Sequence, residues 1–536
     1  MSKNNNKSSK FQLNRLVRTS LVAAVAAGVA SMANAGETIY FDHGGNLQWS
    51  LTTSYGLGMR MEKQDKKLLE SEGNRNFDRG SLTTHRVSAL GELVYTNDSY
   101  SWGEWGGVLR GSTFYDDVYH RKNDNKGPVN HGGKRNQFSS GAKYYSGGRT
   151  RFLDAYLFTD IQLPKNQYLG VKAGRHVVSW GEGLFYPGVN GAQGPVDVVK
   201  STTPGTETKE VLLPNGQVSV DWNINPLFGL SAYYQYEWLP NELSPVGSYF
   251  STNNAVGPRP DFMRPNGFAV YTGKNKPKSS GQYGLRATIR PNFDWEFSVF
   301  HINYHDKNPS GLLLPGPFDY SSYKINYFDN IKLTGASVST RIGDTQVSGE
   351  ISYRDGAPVT VLTPVREGNE FPVTATRGKG YQAQASFIHT LGDMPWARGT
   401  TILGEIVHVA ATSVDAIKRN GQTYDKYSYN TSDDYQTKSA TAFTGQVSLS
   451  YPGIFSGWDL SVPVSYSHVI DGKTPMRGAI GGGQGDRRLS VGSTFKRHGN
   501  LELNATYVAY MGEASVKRDR QLTDRDQLTF SAKYTF

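Results

Sequence analysis

The sequence predicts an all-β protein, a transmembrane antiparallel β-barrel of about eighteen strands (16–18) in one domain. Three observations support this fold class: an N-terminal secretory leader, a long series of segments in which apolar and polar residues alternate, and a final alternating segment that ends on Phe536. Alternation at a period of two gives each strand one apolar and one polar face, which a membrane barrel turns towards lipid and lumen.

The first 35 residues have the order of a secretory signal peptide. Basic residues between Lys3 and Arg18 precede a short apolar core, Leu21 to Val29, and Ala33-Asn34-Ala35 is a small-residue cleavage site. The core is shorter than the ~20 apolar residues of a spanning helix. We therefore expect residues 1–35 to be removed, residues 36–536 to form the barrel, and the mature chain to reach the outer membrane of a Gram-negative bacterium through the periplasm.

Charge and cysteine content exclude several classes of function. The chain carries a net charge of +10, and removal of the five basic residues of the leader lowers it to +5. A charge this mild gives no reason to expect a nucleic-acid partner. The chain contains no cysteine, so it has neither a disulfide framework nor a thiolate metal site. We expect no cofactor and no bound metal.

Low hydropathy accompanies a high content of aromatic residues and glycine. Hydrophobic residues make up 37% of the chain and the mean hydropathy is −0.52, yet there are 32 tyrosines, 24 phenylalanines and 60 glycines. Only every second residue of a barrel strand faces lipid, so the apolar signal is diluted about twofold. This composition favours a membrane barrel over a soluble enzyme.

Alternation is clearest from Leu47 to Met61, where apolar residues and threonine occupy one face and polar or small residues the other. This run exceeds the ~5–6 residues of an average soluble strand and suffices for a tilted strand that crosses a bilayer, which requires ~9–11 residues. Similar segments begin near residues 47, 82, 105, 151, 168, 217, 229, 283, 294, 331, 345, 381, 401, 442, 458, 488, 501 and 527.

The links between these segments alternate in length. Short links are expected at 162–167, 225–229, 291–294, 341–344 and 497–500, and long ones at 116–150, 175–216, 239–282, 305–330, 355–380 and 410–440. Outer-membrane barrels have short periplasmic turns and long external loops, whereas a soluble sandwich or propeller has no reason to alternate link lengths. An even number of strands places both chain ends in the periplasm.

The C-terminal segment is an alternating strand whose apolar face ends in Tyr534 and Phe536. A terminal phenylalanine in this pattern resembles the assembly signal of outer-membrane proteins. We therefore expect the barrel assembly machinery to recognise Tyr534 and Phe536, and the finished wall to contact the lipid bilayer and lipopolysaccharide.

The third external loop, about 175–216, is long, partly apolar and nearly balanced in charge. We expect a loop of this kind to pack against the barrel rather than to extend freely into solvent. One interpretation is a loop folded into the lumen that constricts it and contacts the solute; the alternative is a cap packed on the barrel rim. The loop residues predicted to line the constriction are Arg175, Trp180, Glu182, Asp197, Lys200, Glu207, Lys209 and Glu210.

Charged residues of both signs fall on the polar face of the strands by phase. They are Arg110, Asp154, Lys172, Asp221, Glu237, Arg286, Arg290, Glu296, Lys332, Glu350, Arg354, Glu405 and Glu502. Arg110, Asp154 and Lys172 are the strand residues predicted to line the constriction. Such charges can set a transverse field that selects solutes, or pair into a wall that holds the barrel in shape.

Signals of catalysis are weak, and we expect no enzyme. The sequence has no GxSxG and no HExxH motif, and Gly481 to Gly485 neither follows a parallel strand nor opens a helix. Four histidines share the phase of apolar neighbours, which predicts an outward, interfacial position; they are His301, His389, His408 and His468. Loop carboxylates are usually solvated rather than bound to Ca²⁺; those considered are Asp433, Asp434, Asp524 and Asp526.

Several motifs resemble the domain-of-unknown-function 1302 family of proteobacterial outer-membrane proteins. They are Asn76-Phe77-Asp78-Arg79-Gly80, Leu153-Asp154-Ala155-Tyr156, the run from Gly174 to Glu182, Pro195-Val196-Asp197, the run from Pro204 to Glu210, and Tyr234-Gln235-Tyr236-Glu237-Trp238. The resemblance covers nearly the whole mature chain. It implies an outer-membrane barrel whose relatives are encoded beside a periplasmic lipid-carrier-like partner and an export-type membrane protein, and hence a role in the traffic of hydrophobic compounds.

Two functions follow as hypotheses. The first is a porin-like channel or transporter, for hydrophobic compounds, gated or constricted by the third loop. The alternative is a structural or surface-interaction barrel with a sealed lumen. A barrel enzyme of the phospholipase kind would need an outward serine close to a histidine, and the sequence offers no such pair.

Overall fold

The computed structural model describes residues 36, 38–129, 131, 133–260, 269–313, 315, 321–362, 373–419, 422–424, 437–497 and 499–536. The expected leader, residues 1–35, lies outside the described residues, as do Asp433 and Asp434. The helices in the described part of the chain are all short, and none has the apolar length that crossing a bilayer requires.

Eighteen antiparallel strands form one closed sheet. They are β1 (Gly45–Arg60), β2 (Leu82–Tyr100), β3 (Gly103–Asp116), β4 (Gly148–Leu163), β5 (Gln167–His176), β6 (Asn215–Asn223), β7 (Phe228–Gln235), β8 (Gln282–Ile289), β9 (Trp295–Tyr304), β10 (Ile331–Ile342), β11 (Thr345–Leu362), β12 (Val373–Leu391), β13 (Thr400–Val414), β14 (Ser439–Phe455), β15 (Trp458–Gly472), β16 (Arg487–Arg497), β17 (Leu501–Met511) and β18 (Gln527–Thr535).

The sheet closes because β18 pairs with β1, in a register that runs from Thr52 opposite Thr535 to Arg60 opposite Gln527. Closure leaves no free sheet edge, so the backbone groups of the wall are satisfied within the wall itself. The predicted barrel of about eighteen strands is confirmed, and most strands begin within three residues of the predicted positions.

One predicted loop is wrong. Most of the stretch expected as a loop, 355–380, is strand: β11 continues to Leu362 and β12 already begins at Val373. A bulge between Asp355 and Ala357 leaves Gly356 unpaired with a φ of +79°. The extra residue shifts the phase of alternation. A prediction that requires a strict period of two therefore ends the strand at the bulge, although the strand continues.

Short and long links alternate around the barrel. At one end of the barrel the links between strands are short: 101–102, 164–166, 224–227, 290–294, 343–344, 392–399, 456–457 and 498–500. At the other end the strands are separated by the long connections: 61–81, 117–147, 177–214, 236–281, 305–330, 363–372, 415–438, 473–486 and 512–526. We call 177–214 the third connection, because it is the third of the long series.

The long connections carry small elements of their own. The helices are Lys66–Leu68, Glu72–Arg75, Asp117–His120, Ser140–Tyr145, Asn190–Gln193, Val198–Ser201 and Thr208–Val211, and Pro164–Asn166 forms a helical turn in a short link. Val270–Asn275, Gly311–Leu313 and Ser322–Asn326 make a three-stranded sheet, Ile417–Arg419 pairs with Gln422–Tyr424, and Ile39–Tyr40 pairs with the start of β1.

The outer face of the wall is apolar and exposed. Leu157 on β4, Val299 on β9 and Ile351 on β11 have exposed fractions of 67%, 58% and 53%. Soluble proteins rarely expose apolar surface on this scale, whereas a barrel in a bilayer turns an apolar band towards the lipid. The surface therefore suits a protein that crosses a membrane on its strands.

The inner face is not uniformly polar. Phe300 and Ile302 alternate with the outward Val299 and so point inward, and both are buried. Ile331 and Leu333 of β10 do the same, which places Lys332 on the outer face; its predicted inward position is wrong. The buried apolar residues on this side form one cluster: Trp180, Val189, Ala192, Tyr233, Phe300, Ile302, Tyr304, Ile331, Leu333, Ala357, Val359, Val361, Val407, Val409, Ala411, Ala440, Ala442, Val469, Met476, Ala479 and Ile480.

Candidate functional site

Glu405 on β13 binds the backbone of the third connection. Its carboxylate accepts hydrogen bonds from the amide nitrogens of Leu184, Phe185 and Tyr186, at 3.1, 2.5 and 2.9 Å. Glu405 alternates with the outward Ile406 and is 1% exposed. Three consecutive amides that converge on one buried carboxylate satisfy a charge that would otherwise be costly to bury.

Glu350 on β11 binds the same segment at two further points. Its carboxylate accepts hydrogen bonds from the amide nitrogens of Glu182, at 2.8 Å, and of Val189, at 2.7 Å. Glu350 alternates with the outward Ile351, so it too points inward. The two carboxylates together hold both ends and the middle of residues 182–189.

The carbonyl groups of this segment also find partners on the inner face. A guanidinium nitrogen of Arg354 on β11 donates to the carbonyl oxygen of Gly188 at 3.1 Å. The side-chain nitrogen (Nε2) of Gln382 on β12 donates to the carbonyl oxygen of Pro187 at 2.9 Å. Acidic side chains thus take the amide groups of the segment, while an arginine and a glutamine take its carbonyl groups.

Trp180 packs into the apolar cluster of the inner face. Its ring lies 5.0 Å from that of Tyr233 on β7, and the guanidinium of Arg286 on β8 lies 5.4 Å from the centre of the indole. The amide nitrogen of Trp180 donates to the side-chain oxygen of Gln193 at 2.7 Å. These contacts attach the start of the third connection to β7 and β8.

Glu182 lies in the third connection with its side chain half-buried. Burial raises the pKa of its carboxyl above the ordinary value, and the negative charges of Glu296 and Glu350 raise it further. Ser348 and Arg286 act in the opposite direction and weaken the shift. The carboxyl therefore gains a proton more readily than a solvated glutamate.

Two short helices of the third connection are joined by a buried ion pair. The carboxylate of Asp197 caps the first helix by accepting from the amide nitrogen of Lys200 at 3.0 Å. The ammonium of Lys200 then pairs with Glu210 in the second helix, whose start Glu207 and Glu210 cap reciprocally. Burial lowers the pKa of Lys200, and the charge of Glu210 opposes that effect.

Asp197 also belongs to a buried cluster of four charges. Arg149 and Arg151 on β4 each approach its carboxylate to 2.8 Å, and both also pair with Glu242 of the connection 236–281. Burial raises the pKa of Asp197, and the nearby Glu242 raises it further. The arginines on the wall therefore hold the third and fourth long connections against each other.

A second group of charges ties the helices to the opposite wall. The ammonium of Lys209 lies 3.5 Å from Glu92 on β2 and 3.3 Å from Glu207, and Lys533 on β18 lies 3.8 Å from Glu207. Arg110 on β3 pairs with Glu92 and with Asp154 on β4. The complete chain of ion pairs runs through Asp154, Arg110, Glu92, Lys209, Glu207, Lys533 and Glu502.

Two predicted residues lie apart from this arrangement. Lys172 on β5 points inward, and its ammonium lies 6.0 Å from the centre of the Tyr156 ring. Arg175 stands opposite Ala155, on the face of the outward Leu157, and pairs with Glu237 at 2.9 Å. Of the predicted residues, Arg110, Asp154, Trp180, Glu182, Asp197, Lys200, Glu207, Lys209 and Glu210 are those brought together around the third connection.

A largely apolar cavity of about 440 Å³ lies between the third connection and the inner face of β9, β11 and β12. Its size is in the range of small-molecule sites. Apolar and aromatic residues supply most of its lining. They include Val177, Val178, Leu184, Phe185, Tyr186, Pro187, Val196, Val198, Leu212, Leu213, Tyr304 and Met476. We call it the apolar chamber.

A second cavity of about 390 Å³ lies beyond the same segment, against the inner face of β14 to β17. Its wall residues are more polar, with Ser465, Ser467, Ser490, Asp486 and Arg488 among them, and we call it the polar chamber. The two chambers share part of their lining, which is Phe185, Tyr186, Pro187, Gly478 and Ala479. The segment held by Glu405 therefore separates them.

The sequence pattern did not reveal three charged residues of the apolar chamber region. Asp306 and Lys307 are almost fully buried after β9, and Arg477 lies in the connection 473–486. Burial raises the pKa of Asp306 to about 6 and lowers that of Lys307 to about 8. Loops have no periodicity that would reveal which of their charges are buried, and no signal in the sequence distinguishes these three.

The C-terminal residues complete the barrel wall. Tyr534 faces outward, its ring 4.7 Å from that of Phe536, and the amide nitrogen of Phe536 donates to the carbonyl oxygen of Leu51 at 3.0 Å. Within the described part of the chain, no group of three or more acidic or histidine side chains is arranged to hold a metal ion.

Comparisons with known proteins identify the family. Over most of its length the chain is similar to OccAB1 of Acinetobacter baumannii, with 10% identity, 94% of this chain and 99% of that chain covered, and a TM-score of 0.46. It is also similar to OpdK of Pseudomonas aeruginosa with vanillate, with 10% identity, 91% of this chain and 98% of that chain covered, and a TM-score of 0.45. For Salmonella typhi OmpF with daunomycin the identity is 9%, 93% of this chain and 100% of that chain are covered, and the TM-score is 0.40. No curated protein matches the sequence. The model of the family described as "Protein of unknown function (DUF1302)" matches residues 16–536, and the chain therefore belongs to that family.

Proposed function

We propose that this protein is a porin-like channel of the bacterial outer membrane, which passes hydrophobic or amphipathic compounds through its lumen. In this proposal the third connection lies within the lumen and forms the constriction. The observation that carries the proposal is the position of Phe185, Tyr186 and Pro187, which form a common wall between the apolar and polar chambers.

The character of the inner face supports a path for apolar solutes. The lumen of a water-filled porin is lined by polar side chains. Here inward residues of β9 and β10, such as Phe300 and Leu333, are apolar and buried against the third connection. A solute that enters the apolar chamber can therefore exchange water for apolar contacts before it reaches the polar chamber.

The test uses the absence of cysteine from the natural chain. Ser467→Cys places one thiol in the polar chamber, and Ser101→Cys places one in an exposed short turn as the matched control. A charged methanethiosulfonate reagent should reduce the single-channel current of S467C in planar bilayers and leave S101C unchanged. If S467C is fully modified, as shown by mass spectrometry, and its current does not change, the proposed path is wrong.

The sealed barrel remains a second candidate, because the long connections pack tightly on one another. Phe77, Tyr119, Phe138 and Tyr249, from three different connections, form a buried aromatic cluster. Such a cap would suit a barrel that presents a surface to a partner. Folded protein that gives neither current nor solute uptake in liposomes would favour this function over the channel.

The partners follow from the same proposal. We propose that the barrel assembly machinery recognises Tyr534 and Phe536, and that the apolar outer face contacts the lipid bilayer and lipopolysaccharide. A periplasmic lipid-carrier-like protein would meet the barrel at the end with the short links. Its role is testable by co-purification of the folded barrel with that partner.

A further inference from the structure

We infer that the apolar chamber binds amphipathic monoanions, compounds with an apolar body and one carboxylate headgroup. This inference rests on the proposed channel and names the class of compound for which the chamber is built. The observation behind it is the charge of the lining, in which two arginines and one aspartate are the only charged residues: Arg354, Arg477 and Asp306.

Arg354 is a buried cation whose direct partners are neutral. Its guanidinium donates to the side-chain oxygen of Gln382 at 3.0 Å and to the carbonyl oxygen of Gly188 at 3.1 Å. Among the described residues, no carboxylate lies within 4 Å of it, although the side chain is only 8% exposed. The charge of Arg354 acts on the carboxyl groups of Asp306 and Glu350, but neither forms an ion pair with it, and a ligand carboxylate would supply that direct partner.

Arg477 adds a second cation to the same chamber. Its guanidinium donates to the carbonyl oxygen of Pro309 at 3.1 Å and has no carboxylate within 4 Å in the described part of the chain. Arg477 is exposed and lines the chamber. It is therefore able to reorient towards a headgroup without loss of an existing ion pair.

Asp306 lies close enough to both arginines for their charges to act on its carboxyl. The three charged groups of the lining therefore gather in one region, and their net charge is +1 with the aspartate ionised. Lys307 and Glu350 lie beside the lining with opposite charges, so they leave this sum unchanged. One excess positive charge favours a monoanion over a dianion, and guanidinium groups match the planar geometry of a carboxylate. Neither a neutral alkane nor an alkylammonium ion would gain a favourable charge interaction with these guanidinium groups.

The remainder of the lining fits the apolar body of such a compound. Val178, Leu213 and Met476 line the chamber without charge, together with the aromatic ring of Phe185. Methionine and aromatic side chains adapt to apolar ligands of different shapes. The chamber thus offers a charged region for the headgroup and an apolar region for the chain, which is the pattern of an amphipathic ligand.

The experiment compares four ligands of equal chain length: decanoate, decanol, decylammonium and decyl phosphate. Equilibrium dialysis against the folded full-length barrel in lipid nanodiscs, with empty nanodiscs as the partition blank, gives the affinities. Decanoate should bind at least tenfold more tightly than each of the other three. Equal affinities for decanoate and decanol would overturn the inference, and tighter binding of decyl phosphate would overturn the monoanion assignment.

Variants locate the site. Arg477→Gln should weaken decanoate binding at least tenfold and leave decanol unchanged, and Arg354→Gln should do the same. Arg497→Gln, an exposed residue at the short-link end of β16, is the matched control and should bind as wild type. Because Arg477 is exposed, R477Q remains informative if R354Q does not fold. Unchanged decanoate affinity in folded R477Q would refute the site.

Conductance without ligand separates this inference from the proposed function. A barrel that conducts but does not discriminate among the four ligands retains its channel function and loses this inference. A barrel that binds decanoate through Arg477 but shows no current and no decanoate uptake retains the binding site, and the channel is then refuted.

Discussion

Removal of the Glu405 carboxylate should release the constriction. In Glu405→Ala the amide groups of Leu184, Phe185 and Tyr186 lose their common acceptor. Residues 182–189 would remain attached by Glu350, Arg354 and Gln382, so we expect local opening of the segment rather than loss of the barrel.

The magnitude follows from the number and kind of bonds. A hydrogen bond to a charged group contributes about 1.5–3 kcal/mol, and three bonds converge here. Water that enters the lumen replaces part of this energy, so we take about 3 kcal/mol as the loss in docking free energy. At about 1.4 kcal/mol for each factor of ten, the undocked population should rise roughly 100-fold. Glu405→Gln keeps one acceptor oxygen and should give a rise of about tenfold.

The assay is single-channel recording in planar bilayers, in which undocking appears as more frequent transitions to a higher conductance. Glu296→Gln is the matched control, because Glu296 points inward and bonds to Arg290 at 2.8 Å. Its charge raises the pKa of Glu182, but it accepts no hydrogen bond from the third connection in the described part of the chain. Heat-modifiable mobility in gels verifies that each variant is folded. If folded E405A and E296Q both show the current levels and transition frequency of wild type, the carboxylate does not hold the constriction.

Three further predictions concern other parts of the molecule. In the native protein burial raises the pKa of Asp306 from 3.8 to about 6, so the stability it contributes is fully present below pH 3.8 and is lost as the pH rises through 6. Asp306→Asn should therefore raise the free energy of unfolding by up to about 3 kcal/mol at pH 8 and by almost nothing at pH 4, and urea titrations in lipid that give the same difference at both values would contradict this. Trp180→Ala should cost about 3–5 kcal/mol in the same titrations, since a large buried side chain leaves a cavity against Tyr233, and a loss below 1 kcal/mol would show that the ring is not packed as described. Deletion of Phe536 should lower the yield of folded barrel in cells several-fold while the barrel refolded in detergent keeps wild-type stability, and equal yields would exclude an assembly role.

The strands were predictable because a bilayer imposes a strict pattern on them. Leu47 to Met61 alternates without interruption, and β1 spans nearly the same residues. The choice of the inward face was less reliable. Lys332 was assigned inward by phase, but it lies on the outer face, where Asp355 stands opposite, while Ile331 and Leu333 point inward.

The candidate site was predictable only in part, because its residues come from loops that fold on one another. The third connection was recognisable by its length and mixed composition, and Asp197 and Glu210 were among the residues selected. Glu242, which shares Arg149 with Asp197, lies 45 residues further along the chain. No local sequence pattern could have linked the two residues. Contacts of this kind depend on the closed wall, which brings distant connections together over one opening.

The seam between β1 and β18 has a consequence for biogenesis. Thr52 and Thr535, whose hydroxyls lie 3.1 Å apart, are separated by 483 residues, so the wall cannot close until the last strand has been made. Contacts between such remote positions form slowly. Residues 177–214 form ion pairs with β2 and β18, on either side of this seam, so this set of ion pairs is also complete only when the last strand is in place. A chain that stops before its last strand would therefore leave the edges of β1 and β17 unpaired.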